Sequence, residues 1–127
     1  MTTITDVRTI GIAVADQDQA LEFYRDTLGF EVRLDGIAGD MRWLEVAPPG
    51  ATVSLALTTS IGENTSNRET GIRFVVPDAT TEHTALRTGG VSVGELLAWP
   101  GVPPMFTFDD PDGNQFVVVE QTDEDSR

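Results

Sequence analysis

Few side chains in this sequence could carry bond-making chemistry. It has one histidine, His83, and no cysteine, so thiol nucleophiles and a disulfide framework are both excluded. No general base has an evident orienting partner, which acid–base catalysis requires. Carboxylates are plentiful, among them Glu45, Asp109, Asp110 and Glu120. A divalent ion needs two or three His or carboxylate groups at one point, and these acids do not share a strand face with one another or with His83. The acids of DDPDGN (109–114) read as turn formers, and no second oxygen-rich loop supports a calcium site. Binding chemistry is better supplied. Trp43, Trp99, Phe106 and Phe108 offer flat, rigid area for planar ligands. Arg73 could anchor a carboxylate, phenolate or quinone oxygen, or pair with Glu45 as a structural strut.

The elements that position these groups can be read from pattern. Thr9–Val14 alternates as a strand, Asp16 is an N-cap, and a helix is expected from about Gln17 to Leu28 with Gly29 as its stop. Phe30–Leu34, Met41–Val46 and Thr52–Leu57 read as three further strands. A polar stretch, residues 59–70, reads as a linker. The order then begins again: strand Gly71–Val76, N-cap Asp78, helix Ala79–Thr88 stopped by Gly89-Gly90, and an extended Val91–Val93. A hairpin follows, with Met105–Phe108 and Phe116–Val119 flanking the Pro111-Asp112-Gly113 turn.

The repeat is specific. Thr9, Ile10, Ile12, Val14 and Asp16 align with Gly71, Ile72, Phe74, Val76 and Asp78 at an offset of 62, and Pro48-Pro49-Gly50 aligns with Pro111-Asp112-Gly113 at 63. Two βαβββ modules are therefore expected, about 7–58 and 71–121, in one domain of residues 1–122 with an acidic tail at 122–127.

Strand parity assigns the faces. Helices must cover the apolar faces, which places Ile10, Ile12, Val14, Val53, Leu55, Leu57, Ile72, Phe74, Val76, Phe116 and Val118 on the helix side. The opposite, open face is then expected to hold Thr9, Gly11, Ala13, Ser54, Ala56, Gly71, Arg73, Val75, Val117 and Val119, with Trp43 and Glu45 from the third strand. The offset of 63 adds Phe106 and Phe108. Small residues at the centre and aromatic residues at the rim describe a small-molecule site. Aromatic packing in a core or a dimer interface is the competing explanation.

Composition narrows the partners. A net charge of −13 disfavours nucleic acid and anionic membrane, both of which need a basic face, and it is compatible with a cationic ligand. The N-terminus lacks the basic and apolar regions of a signal peptide, and no apolar run approaches a membrane span, so a cytoplasmic location is expected.

The run IAVADQDQALEFYRDTLGFEV resembles the opening of a vicinal-oxygen-chelate protein, the superfamily of glyoxalases, bleomycin-resistance proteins and extradiol dioxygenases. FDDPDGNQFVVVE resembles its closing hairpin. The resemblance implies an α+β fold of two βαβββ modules, each a curled sheet backed by a helix, with ligand in the concave space. Metal-dependent members carry a His in the first strand of each module and a carboxylate in the last. Those slots fall on Thr9, Gly71, Ala56 (or Ser54) and Val117, none of which is a His or a carboxylate. The resemblance is thus to the metal-free, bleomycin-resistance-like members. It implies a homodimer that sequesters an aromatic or cationic small molecule with no metal and no cofactor, through Trp43, Glu45, Ser54, Arg73, Trp99, Phe106, Phe108 and Val117. The competing expectation is a metal-dependent lyase, isomerase or dioxygenase with non-standard ligands.

Overall fold

The computed structural model describes residues 2–59 and 68–123. The chain divides into two compact units, Met1–Thr65 and Ser66–Arg127. In the first unit the order is β1 (Thr9–Ala13), α1 (Gln17–Glu22), β2 (Glu31–Ala38), β3 (Met41–Ala47) and β4 (Ser54–Thr58). In the second it is β5 (Arg68–Val76), α2 (Ala79–Thr88), β6 (Ser92–Val93), β7 (Leu97–Trp99), β8 (Val102–Asp109) and β9 (Asn114–Glu120). Both units have the expected mixed α+β character.

The first sheet runs β1-β4-β3-β2, with β1 parallel to β4 and the other neighbours antiparallel. Asp16 starts α1 by accepting a hydrogen bond from the Gln19 amide at 3.1 Å. The helix does not continue at α spacing to Leu28. Its last turn, Phe23–Thr27, widens so that the Leu28 amide donates to the Phe23 carbonyl five residues back. Gly29 then takes φ 78°, a conformation that only glycine adopts cheaply, and turns the chain into β2. Tyr24 lies fully buried against Phe30, and Ile12, Leu44, Val46, Leu55 and Leu57 complete this core. Each such aliphatic side chain contributes about 1.5–3 kcal/mol by leaving water.

The second sheet runs β5-β9-β8-β6, with β7 pairing on β8. Asp78 caps α2 through the Thr81 amide at 3.1 Å. Glu120, from the end of β9, accepts from the Ala79 amide at 3.0 Å, so two carboxylates meet the positive end of this helix. β5 begins at Arg68, inside the stretch expected to be linker; residues 60–67 of that stretch and 124–127 of the acidic tail lie outside the described residues. The strand bulges between Glu69 and Arg73. At the bulge the Thr70 hydroxyl donates to the Gln115 carbonyl at 2.8 Å and accepts from the Ile72 amide, while Gly71 takes φ 76°.

The expected face of two aromatic residues is corrected here. Phe106 lies opposite Val118 and Phe108 opposite Phe116, and residues opposed in an antiparallel pair share a face. Phe106 and Phe108 are 1% and 2% exposed, and Phe74, Phe108 and Phe116 pack ring on ring at 5.2–6.1 Å. They belong to the helix-side core. The offset of 63, taken from the turn, is one residue too long for β8. Glu45 opposes Ala56 as Thr107 opposes Val117, which puts the β3-to-β8 offset at 62. A one-residue slip moves every side chain to the other face.

Candidate functional site

Each unit presents one sheet face away from its helix. In the first unit Leu34 lies opposite Glu45, Glu45 opposite Ala56, and Ala56 beside Gly11, so one row crosses all four strands. Gly36 lies opposite Trp43, and Ser54 beside Thr9. At the centre of this face Ala13, Ser54, Ala56 and Thr58 are all buried, and the Thr58 hydroxyl has no hydrogen-bond partner among the described residues. Access lies toward β3 and β2, where Trp43 and Glu45 are half-buried and Leu34 is exposed. A side chain placed at Gly36 would meet nothing within 4 Å.

Trp43 and Glu45 form the most defined polar contact on this face. The indole Nε1–H donates to Glu45 Oε2 at 2.7 Å. Alternation puts both side chains on one side of β3, and the short bond fixes the carboxylate against the ring edge. Arg73 is exposed and makes no ion pair within its own unit among the described residues.

Behind the first face a separate network holds the frame. Arg42 binds Asp35 through two nitrogens at 2.9 Å each and Asp18 through the third at 2.7 Å. The hydrogen bonds it donates to Asp35 and then to Asp18 push its already high pKa further up, and the Asp35 carboxyl is in turn held below the usual range by Arg42. Gln17 donates to the carbonyls of Arg42 and Leu57, tying α1 to β3 and β4. A bulge between Val32 and Leu34 frees Arg33 to donate to the Pro48 and Ala51 carbonyls, which fixes the β3–β4 turn.

In the second unit register brings Arg73, Val117 and Thr107 into one row and Val75, Val119, Met105 and Leu97 into the next. Thr107 and Met105 occupy the places expected of Phe108 and Phe106; applying the offset of 62 through the hairpin identifies them. Trp99 lies opposite Val102 at the sheet's edge and is 53% exposed. His83 faces the helix side, with Nε2 2.8 Å from the Gly94 carbonyl and its ring on Phe106. Asp110 is a turn former, accepting from the amides of Asp112 and Asn114 and from the Asn114 side chain at 2.9 Å.

The four positions matching the family's metal ligands do not fit a divalent ion. Ala56, Val117 and Gly71 offer no side-chain donor, Gly71 sits in a bulge, and Thr9 is a poor ligand. Among the described residues no three His, Cys, Asp or Glu side chains gather into a set that could hold a metal. Among the described residues, too, no helix is long and apolar enough to cross a membrane.

Comparison with known proteins agrees with this architecture. A model of the Glyoxalase/Bleomycin resistance protein/Dioxygenase superfamily matches residues 7–118. The chain is 30% identical over 122 residues to the uncharacterized protein YetH of Bacillus subtilis, covering 92% of this chain and 99% of YetH. TnmS3, an antibiotic binding protein from Streptomyces sp. CB03234, superposes with a TM-score of 0.86 at 29% identity, covering 96% of this chain and all of that one (100%). A superfamily member from Sphaerobacter thermophilus gives a TM-score of 0.86 at 35% identity, with coverages of 94% and 100%. The chain belongs to the superfamily of glyoxalases, bleomycin-resistance proteins and dioxygenases.

Proposed function

We propose that this protein binds an aromatic small molecule of antibiotic-like character and sequesters it unchanged, without a metal. The observation that carries the reading is the Trp43–Glu45 pair. An indole held by a short hydrogen bond stands on a half-buried sheet face, beside a glycine with open space before it. A rigid ring with few polar neighbours suits capture of a planar ligand, because little side-chain entropy is lost on binding. Likeness to TnmS3 along nearly the whole chain supports antibiotic binding as the class. Metal independence is supported by Thr9, Ala56, Gly71 and Val117 standing where metal-dependent members carry histidines and carboxylates. Trp43 and Glu45 are the proposed binding residues of the first unit's face; on the second unit's own face Arg73 and Val117 are retained from sequence, with Met105 and Thr107 in place of Phe106 and Phe108.

Equilibrium dialysis against a panel of polycyclic aromatic antibiotics tests the reading, with elemental analysis of the same preparation after exposure to Mn, Fe, Ni and Zn. Saturable one-to-one binding, with the compound recovered intact and no retained metal, is expected. Recovery of a chemically altered compound, or one tightly held metal ion per chain, would overturn it.

A further inference from the structure

Glu45 carries more information than its place beside an aromatic ring. Its Oε2 accepts from Trp43, and its Oε1 takes no hydrogen bond from the described residues. The side chains in its row, Leu34, Ala56 and Gly11, have nothing to donate. Three arginines of the same unit are engaged elsewhere: Arg25 with Asp26, Arg33 with Glu31, and Arg42 with Asp35 and Asp18. A half-buried carboxylate with one donor is short of the hydrogen bonds that offset its desolvation. An incoming N–H or ammonium group would form a charge-assisted bond to Oε1. The same group would lie within reach of the Trp43 ring, where a cation is further stabilised.

We infer that Glu45 is a specificity-determining residue that selects planar aromatic ligands bearing a cationic or N–H donor edge. The inference rests on the binding reading above and sets the sign of the ligand's charge. It disfavours an anionic ligand on this face, since a ligand carboxylate or phenolate would meet a fixed negative charge at Glu45.

Three fused-ring probes of similar size test it by equilibrium dialysis: proflavine as the cation, xanthone as the neutral probe with no N–H donor, and anthracene-2-carboxylate as the anion. Proflavine should bind at least about tenfold more tightly than xanthone, and the anion most weakly. Glu45→Gln keeps the shape and alters the net charge by a single unit, so it should bring proflavine affinity down to within about threefold of xanthone affinity. Trp43→Phe keeps a ring but releases the carboxylate, and should reduce the proflavine advantage in part. The preference should persist at about 0.3 M salt, where diffuse attraction to the acidic surface is screened. Equal affinity for all three probes, unchanged in Glu45→Gln, would overturn the inference and leave the binding reading standing. Tighter binding of the carboxylate would also overturn it. Failure of every probe to bind would overturn the inference and count against the binding reading itself.

Discussion

The His83 ring stands edge-on to Phe106, with centroids 4.9 Å apart and planes at 82°, while its Nε2 lies 2.8 Å from the Gly94 carbonyl. One side chain of α2 thereby fixes both the aromatic core on β8 and the chain leaving β6. The only histidine of the sequence is a packing group, and the phenylalanine beneath it is core.

Truncating that core should be costly. Phe106→Ala and Phe108→Ala are each expected to lower stability by about 3–5 kcal/mol, read as a fall in the urea midpoint at an unchanged slope. Ligand affinity of the folded fraction should hold. A loss of affinity with stability retained would return these rings to the binding face.

Arg73 gives the opposite expectation. It is exposed and lacks an ion pair within its unit among the described residues, so Arg73→Ala should change stability by no more than about 0.5 kcal/mol. A loss of several kcal/mol in thermal or chemical unfolding would reveal a buried ionic strut instead.

The Asp35–Arg42 contact predicts a pH dependence. Arg42 lowers the Asp35 pKa, so the pair's contribution is complete above the ordinary aspartate range near pH 4 and is lost as the pH falls toward the lowered value. Asp35→Asn should therefore cost more stability at pH 7 than at pH 3. Urea titrations of both proteins at the two pH values measure the difference, which should be small because the carboxylate faces solvent.

Gly71 supplies a backbone test. A Cβ there would touch nothing within 4 Å, so only the positive φ opposes substitution. Gly71→Ala should cost about 1–2 kcal/mol, while the neighbouring Ile72→Val should cost only about 0.5–1.5 kcal/mol. Differential scanning calorimetry of the two variants separates strain from lost packing. A neutral Gly71→Ala would show that the bulge relaxes.

Much of this architecture is legible in the sequence because local chemistry and tertiary need agree. Asp16 and Asp78 both cap helices, and both glycine stops are used. The alternation in β1 and β9 identifies the core faces of Ile12, Phe116 and Val118 directly. What escaped depends on single-residue register. The turn motif carries one residue more in the second module than β8 does, and alternation inverts the face of Phe106 and Phe108. The bulges at Arg33 and at Thr70–Gly71 likewise follow from hydrogen bonds to distant carbonyls, namely those of Pro48, Ala51 and Gln115. The open-face small residues were readable, but their burial at Ala13, Ser54 and Ala56 is a tertiary outcome that composition does not encode.

The Trp43–Glu45 bond also divides the protein's fluorescence in two. Of the two tryptophans, one is half-buried with a carboxylate against its indole N–H, and the other, Trp99, stands in solvent on an edge strand. A polar quencher should reach Trp99 first and leave the emission of Trp43 behind. The proposed binding face thus carries its own optical reporter, set by the residue proposed to choose the ligand.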